Sequence, residues 1–162
     1  MVWLVVVGLV LLLCFGGVVF VGAPYLPTLD PQVQAALELV ALKSGETLLE
    51  LGCGDGKVLV AAAEQGLKVV GYELNPLLAA IAWLRTRRYR KRVKVVWGNF
   101  WTRTWPPTEG IFTFLLPKYM PKLDNKITQL NNKSIKLVSF AFKIPNREIK
   151  AEKAGVYLYE YK

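Results

Sequence analysis

Two residue types that often carry enzyme chemistry are scarce in this chain. It contains no histidine and only two cysteines. Without histidine, the commonest general base and any Ser-His or Cys-His nucleophile are excluded. Cys14 lies in an apolar run and Cys53 in a glycine-rich turn, so we expect no disulfide. No cluster of metal-ligating residues is visible in the sequence, and we expect no metal centre.

Charge is also missing from the beginning of the chain, where the first acid is Asp30 and the first base is Lys43. Residues 1–23 are apolar, and as a helix they would extend roughly 30 Å, the thickness of the bilayer hydrocarbon. A secretory signal begins with basic residues and a transit peptide contains arginines, and neither is present. The pattern predicts a transmembrane anchor over residues 1–23, with a buried hairpin or a cleaved signal as the alternatives.

The rest of the chain is basic. All 21 lysines and arginines follow the apolar segment, against 12 acids, and the net charge is +9. Positive charge beside an anchor predicts a domain on the cytoplasmic side of the membrane. The run from Arg85 to Lys94 is dense enough to contact anionic lipid or RNA, and a solvated helix end is the alternative.

The main motif is a turn rich in glycine and acid. An apolar run, 47–49, leads into Glu50-Leu51-Gly52-Cys53-Gly54-Asp55-Gly56, and a helical stretch follows. Glycines let a ligand approach the main chain, and a helix start offers unpaired N–H groups. A second apolar run, 68–72, ends in Glu73. Strand, turn, helix, strand and terminal acid form half of a doubly wound nucleotide-binding sheet.

The details of this turn narrow the ligand. The dinucleotide fingerprint needs glycine where the chain has Lys57, and a P-loop needs glycine where it has Leu51. Glu50 and Asp55 would repel a pyrophosphate, but they suit a ligand with an amino group or a sulfonium. S-adenosylmethionine carries both. A glycine-rich turn that binds nothing is the alternative.

Apolar periodicity and turn residues predict an alternating α/β chain. Asp30 is expected to cap a first helix that ends at Ser44-Gly45, and Gly155 is expected to turn between two antiparallel edge strands. The remaining predicted elements are strands over 47–51, 68–73, 93–97, 111–116, 135–142, 149–153 and 156–161, and helices over 57–65, 75–89 and 120–130.

The motif resembles known methyltransferase sequences. Its pattern E-x-G-x-G-x-G resembles motif I of class I methyltransferases, and Tyr72-Glu73-Leu74-Asn75 resembles their ribose-binding strand end. An apolar segment, then 24–28, then 50–58, then 70–76 is similar in order to the membrane-anchored protein-lysine methyltransferases. That family modifies the adenine nucleotide translocase and the c-subunit of ATP synthase. The resemblance implies a Rossmann-like class I fold, a doubly wound and mostly parallel sheet preceded by one transmembrane helix.

The resemblance also implies residue roles. Glu50 and the glycines would hold the methionine end of S-adenosylmethionine, Glu73 the ribose hydroxyls and Asn99 the adenine. Asp55 would lie near the cofactor's amino group or the substrate, and it is the one candidate for a catalytic role. The implied cofactor-binding residues are Glu50, Gly52, Cys53, Gly54, Asp55, Gly56, Glu73, Leu74, Asn75, Asn99 and Phe100. The implied substrate or pre-catalytic segment, which the resemblance implicates in activity, includes Tyr25, Pro27 and Thr28.

These observations predict three regions: an anchor over 1–23, a linker and pre-catalytic helix over 24–46, and a methyltransferase domain over 47–162. The leading hypothesis is methylation of a lysine on a membrane-associated protein, with the lipid bilayer as a further partner. A methyltransferase acting on RNA, lipid or a small molecule is the alternative within enzymes, and nucleic acid is the less favoured partner. A non-catalytic cofactor-binding membrane scaffold is the alternative outside enzymes.

Overall fold

The computed structural model describes residues 2–6, 26–130 and 134–162. Residues 2–6 are helical. Strands and helices then alternate, except that a long loop without a helix joins the third strand to the fourth and a hairpin ends the chain. In chain order they are α1 Asp30–Val40, β1 Thr47–Leu51, α2 Lys57–Glu64, β2 Lys68–Glu73, α3 Pro76–Thr86, β3 Val93–Trp97, β4 Gly110–Thr113, α4 Met120–Thr128, β5 Ile135–Phe140, β6 Ala151–Lys153 and β7 Val156–Tyr161, with 3₁₀ turns at Arg87–Tyr89 and Pro117–Tyr119.

The strands form one seven-stranded sheet in the order β3-β2-β1-β4-β5-β7-β6. Strands β1 to β5 pair in parallel, β7 runs antiparallel to β5, and β6 runs antiparallel to β7. The chain reverses its direction across the sheet between β3 and β4, so β1 lies at a topological switch point. In such sheets ligands bind outside the carboxyl ends of the strands at that point. The predicted doubly wound, mostly parallel fold is confirmed.

Helices cover the two faces of the sheet unequally. On one face α1, α2 and α3 pack over a core that includes Val40, Leu59 and Ala82. On the other face α4 and the long loop between β3 and β4 pack over a second core, to which Trp105, Met120 and Leu123 contribute. Since α1 lies in the same core as the central strands, the helix before β1 is part of the folded domain.

The bounds of β1, β2 and β3 are those predicted, but the first helix differs at both ends. Leu29, and not Asp30, occupies the N-cap position, and Asp30 is the first helical residue. The helix ends at Val40 because Ala41 adopts a left-handed conformation, with φ 45°. The predicted end at Ser44-Gly45 is therefore wrong, and those residues lie in the turn before β1.

Strands β4 and β5 are shorter than predicted, and the reasons are local. Strand β4 ends at Thr113, whose partner Leu51 is the last residue of β1, so no ladder continues beyond it. Strand β5 ends at Phe140 because Ala141 has φ 65° and donates its N–H to Gly155. Helix α4 ends two residues early, and α3 gives way to a 3₁₀ turn before Tyr89.

The C-terminal hairpin confirms the predicted antiparallel edge. Ala154 and Gly155 join β6 to β7, both with positive φ (50° and 73°). Two consecutive positive φ values are typical of a type I′ turn, whose twist matches that of paired strands. The hairpin extends the sheet beyond β5 without a crossover helix.

The predicted transmembrane anchor falls largely outside the described residues, which include only residues 2–6 of it. Within the ranges that the structure describes, no helix combines the length and the apolar character needed to cross a membrane.

Candidate active site

The predicted site residues of β1 and β2 meet at the carboxyl ends of the two strands. Glu50 is the penultimate residue of β1 and pairs in register with Gly71, two residues before Glu73 at the end of β2. The β1–α2 turn is held against β2, because the N–H groups of Gly52 and Cys53 donate to the carbonyl of Tyr72 at 3.0 and 2.8 Å. The sheet therefore brings together acids that lie more than twenty residues apart.

Glu50 is a buried carboxylate with an unsatisfied oxygen. Its exposed fraction is 3%, and Oε2 finds no hydrogen-bond donor among the residues that the structure describes. Burial raises its pKa well above the ordinary value, and the negative charges of Asp55 and Glu73 raise it further. A buried acid of this kind is unfavourable by itself, and a cationic donor would relieve it.

Glu73 accepts hydrogen bonds from the backbone of the glycine turn and of the segment just before α3. Its Oε2 accepts from the N–H of Gly54 at 2.8 Å, and its Oε1 accepts from the N–H of Asn75 at 2.7 Å. Each carboxylate oxygen has two lone pairs, so one on each oxygen remains available for a ligand hydroxyl. The role implied for Glu73 therefore extends to holding the glycine turn and the start of α3 together.

The outer two glycines of the motif have different surroundings. Both have positive φ, 86° at Gly52 and 81° at Gly56. A Cβ at Gly52 would meet nothing within 4 Å, so this backbone faces open space. A Cβ at Gly56 would lie 3.0 Å from that of Ala82, so α2 and α3 pack closely there. Gly52 leaves room for a ligand, whereas Gly56 serves the packing of two helices.

Asp55, the candidate catalytic residue, is not a free carboxylate. Its Oδ2 forms an ion pair with the guanidinium of Arg85 at 2.5 Å, and its Oδ1 accepts from the N–H of Lys57 at 3.3 Å. Both of its oxygens are therefore already engaged, one by a cation and one by a backbone N–H. Its geometry fits the alternative role, in which a negative charge at the rim faces a cationic ligand.

Three other predicted residues have structural roles beside the pocket. The Asn75 side chain caps α3 by accepting from the N–H groups of Leu77 and Leu78. The carbonyl of Leu74 accepts from the indole of Trp97 at 3.1 Å. The Cys53 side chain is buried and packs in the core on the side of α2, and burial is the first cause of the raised pKa of its thiol.

Asn99 and Phe100 begin the loop that follows β3. The Asn99 side chain accepts from the N–H of Trp101 at 2.9 Å, and the Phe100 carbonyl accepts from the indole of Trp105 at the same distance. The rings of Phe100 and Trp101 are 4.7 Å apart. This loop therefore has its own aromatic packing, and it lies at the same sheet edge as Glu73, because Gly98 donates to the Glu73 carbonyl at 2.8 Å.

The pre-catalytic segment is described from residue 26 onward, so Tyr25 lies outside the described residues. Pro27 is exposed and Thr28 half-buried, just before α1. Asp30 then forms an ion pair with Lys57, the first residue of α2, at 3.1 Å. The segment thus ends beside the glycine turn.

The sequence does not identify the role of Arg85 or the Asp30–Lys57 pair. Arg85 is thirty residues from Asp55, and the sequence alone groups it with the basic run that begins in the last turn of α3. Opposite charge is the only sequence signal for these pairs, and many residues carry it. They depend on how α1, α2 and α3 lie side by side.

The site fits the cofactor expected from the sequence. Glu50 has an unsatisfied buried oxygen, Gly52 leaves open space, and Glu73 keeps acceptor capacity at the next strand end. Together these features suit a nucleoside whose hydroxyls would bind Glu73 and whose positive charge would lie beside Glu50. A pyrophosphate would face the negative charges of Glu50, Asp55 and Glu73, so this turn disfavours it.

Comparison with known proteins supports this interpretation. Residues 50–151 match the family model described as the ANTKMT methyltransferase domain. The lysine N-methyltransferase of Xenopus laevis that is named for the ATP synthase c-subunit is 29% identical over 127 residues, which is 76% of this chain and 55% of that protein. A protein-lysine N-methyltransferase of Saccharolobus islandicus is 30% identical over 148 residues, 84% of this chain and 92% of that protein.

The chain spans about half the length of the vertebrate relatives that it matches. Among solved structures, an RNA methyltransferase of Salinibacter ruber in complex with S-adenosyl-L-homocysteine superposes with a TM-score of 0.76 at 24% identity. The match covers 84% of this chain and 92% of that one, and at this identity it shows the fold. From the matched family model and the relative in Saccharolobus islandicus, we conclude that this chain belongs to the ANTKMT methyltransferase domain family.

Proposed function

We propose that this chain is an S-adenosylmethionine-dependent protein-lysine N-methyltransferase that acts on a membrane-associated protein. The observation that carries the proposal is the pocket of Glu50 and Glu73 beside the open backbone of Gly52. It suits a nucleoside with positive charge, in a chain whose relatives are named as lysine N-methyltransferases. The relatives named for the ATP synthase c-subunit and the adenine nucleotide translocase motivate a membrane protein as substrate.

The residues of the pocket have distinct parts in binding. Glu50 would accept a hydrogen bond from the amino group of the cofactor, and that contact would offset the cost of burying the Glu50 carboxyl. Glu73 would accept from the two ribose hydroxyls with its remaining lone pairs. Asn99 and Phe100 would border the adenine. When bound, S-adenosylmethionine supplies a methyl group on a positively charged sulfur.

The target amine needs no dedicated base on this chain. A lysine amine has a reference pKa of about 10.4 and must be neutral to attack carbon. Desolvation in an apolar mouth lowers that pKa. The exit of β4, Leu115-Leu116-Pro117-Lys118, lacks the Asn/Asp-Pro-Pro-Tyr pattern of enzymes that methylate DNA bases or glutamine. Asp55 is held by Arg85, and its part is electrostatic.

The experiment that tests the reaction uses labelled S-adenosylmethionine and membranes from a strain lacking this protein. Label on a protein band, retained at lysine after hydrolysis, supports the proposal. Label on lipid or on RNA contradicts it and identifies another methyltransferase class. Cofactor binding without transfer to any fraction would support the scaffold. Calorimetry that shows binding of NAD but not of S-adenosylmethionine would contradict the cofactor itself.

Residues 1–23 are proposed to anchor the enzyme in the membrane, with its basic domain on the cytoplasmic side. The uncharged length of this segment and the net charge of +9 support this placement. Deleting residues 1–23 should then release a domain that binds cofactor but methylates its membrane substrate poorly. Extraction of the full-length protein by carbonate, or a normal rate in the truncated form, would count against an anchor.

RNA is the second candidate substrate, because positive charge is concentrated in the segment from Arg85 to Lys94. Phosphate backbones attract such clusters with a steep dependence on salt. Labelling of RNA in the same experiment is the result that would favour this candidate.

A further inference from the structure

Helix α3 has an apolar side that the domain leaves uncovered. Residues 76–84 contain no polar side chain. Leu78, Ala79 and Ala82 are buried against the sheet and α2. The opposite side is exposed, and its members recur at helical spacing: Leu77, Ala80, Ile81, Trp83 and Leu84. A helix that is apolar all round normally lies in a protein core or in a membrane.

The exposure of this face is unusual within the described residues. Trp83 is 64% exposed and Leu84 is 55% exposed. Apart from residues 2–6, the exposed large apolar side chains of the described ranges lie before α1, on α3 and at Trp97. The Trp97 indole donates to the Leu74 carbonyl just before α3, so Trp97 lies near the start of the same helix. Contiguous exposed apolar residues of this kind mark an interaction surface.

Positive charge gathers at the C-terminal end of this face. Arg87, Arg90, Lys91 and Arg92 are exposed and form no ion pair within the part of the chain that the structure describes. Arg85 and Arg88 are paired with Asp55 and Glu64. The four cations without an ion pair among the described residues therefore border an apolar helix face that carries an exposed tryptophan.

We propose that this face of α3 docks onto the surface of an anionic lipid bilayer. Helices that lie in the interface bury an apolar face among the acyl chains and place basic residues against lipid phosphates. Tryptophan is enriched at that depth, since its ring is apolar and its N–H is polar. The exposed leucines and Ile81 insert, the Trp83 ring lies in the outermost part of the acyl region with its N–H toward the headgroups, and the arginines contact phosphate.

Other occupants match the face less well. Residues 1–23 carry no charge, so packing them on α3 would leave the arginines without partners. A second copy of the chain would bring a net charge of +9 against an equal charge. An anionic membrane supplies both the apolar phase and the negative charge. Docking would also orient the domain, because α3 begins beside Glu73 and the pocket.

The test uses the full-length protein reconstituted in vesicles of brominated phosphatidylcholine, with and without phosphatidylglycerol. Bromine quenches tryptophans that reach the acyl region, and comparison with a Trp83→Phe variant isolates the contribution of Trp83. We expect Trp83 emission to be quenched severalfold more when phosphatidylglycerol is present. This readout does not depend on methyl transfer, so its failure is distinguishable from failure of the proposed function.

A charge-reversal pair tests the basic residues. Changing Arg87→Glu together with Arg92→Glu should weaken docking about 30-fold or more, since each basic residue contributes about 1 kcal/mol near an anionic surface. The matched control is Lys143→Glu with Lys162→Glu, which changes the same charge at exposed positions near β5 and β7. The control should quench as the unaltered protein does.

Several results would overturn the proposal. If Trp83 is not quenched, the face does not contact lipid and is covered by another segment or partner. Equal quenching with and without phosphatidylglycerol excludes the anionic component. If the arginine variant loses affinity for single-stranded RNA and retains lipid-dependent quenching, the basic residues belong to a nucleic-acid surface.

Discussion

The pocket at the carboxyl ends of β1 and β2 and the outer face of α3 both depart from the usual burial pattern, in opposite ways. In the pocket a carboxylate, Glu50, is buried with an oxygen that lacks a donor among the described residues. On α3 large apolar side chains, including Trp83, are exposed to water. The pocket is acidic, and the helix face is bordered by arginines.

Each region carries an unfavourable group that the rest of the described fold does not relieve. A buried carboxyl group with an unpartnered oxygen and an exposed apolar face both cost free energy in the isolated domain. The type of group left unrelieved in each region indicates the chemistry of the partner that would bind there. A cation with hydroxyls suits the pocket, and an apolar phase with negative charge suits the helix. The variants below should separate residues that hold the fold from residues that await a partner.

The largest effect is expected for Glu73→Ala, because Glu73 serves both fold and ligand. Removing the carboxylate leaves two buried N–H groups without acceptors, at about 1–3 kcal/mol each. Affinity for S-adenosylmethionine should fall more than about tenfold, since two charge-assisted hydrogen bonds of about 1.5–3 kcal/mol each are lost. Chemical unfolding and calorimetry measure the two losses. Glu73→Gln, which keeps one acceptor oxygen, should lie between the variant and the unaltered protein.

The glycine pair gives the sharpest contrast. Gly56→Ala should destabilise the domain by about 2–4 kcal/mol, because positive φ and a crowded Cβ act together. Gly52→Ala has the same strain but open space, so it should cost about 1–2 kcal/mol and lower cofactor affinity by at least tenfold. Unfolding midpoints and binding constants of both variants check this. Equal stability losses, with affinity unchanged at Gly52, would show that the open space does not receive the ligand.

Glu50→Gln should stabilise the free protein and weaken binding. Because burial raises the pKa of Glu50, the folded protein holds this proton more tightly than the unfolded chain. The stability it contributes is present at acid pH and is lost as pH rises through the folded pKa. The variant avoids that loss, so its Tm at neutral pH should be higher by about 3 °C, equivalent to about 1 kcal/mol.

Binding by the unaltered protein should show the opposite dependence on pH. A cationic ligand favours ionised Glu50, so affinity should rise with pH, while Glu50→Gln binds weakly at every pH. Calorimetry across the acid range measures this. Parallel pH profiles in both proteins would place the ligand's positive charge elsewhere.

The smallest effect is expected on the outer face of α3. Leu84→Gln should change the free energy of unfolding by less than about 0.5 kcal/mol, because the side chain is 55% exposed. The control is Leu78→Gln, on the buried side of the same helix at 7% exposure, which should cost about 2–5 kcal/mol. A large loss at Leu84 would mean that the face is already packed against the protein itself.

Much of this architecture could be predicted because its signals are local. The bounds of β1, β2 and β3 follow from apolar runs closed by acid or turn residues, and the β6–β7 hairpin follows from alternation around Gly155. The predicted ends of α1 and β5 are wrong because Ala41 and Ala141 adopt left-handed conformations. Alanine carries no sequence signal for positive φ, which only the surrounding packing can impose.

By itself the sequence determined the order of strands and helices, the glycine turn with Glu50 and Glu73, and the uncharged first segment. These depend on residue type, spacing and short-range backbone preferences. Only the tertiary structure decided that Glu73 holds the turn and that Arg85 forms an ion pair with Asp55. It also decided that Gly56 packs against α3 while Gly52 faces open space, and that one side of α3 faces water. Each of these depends on which elements lie next to one another, and that is set by the packing of helices on the sheet.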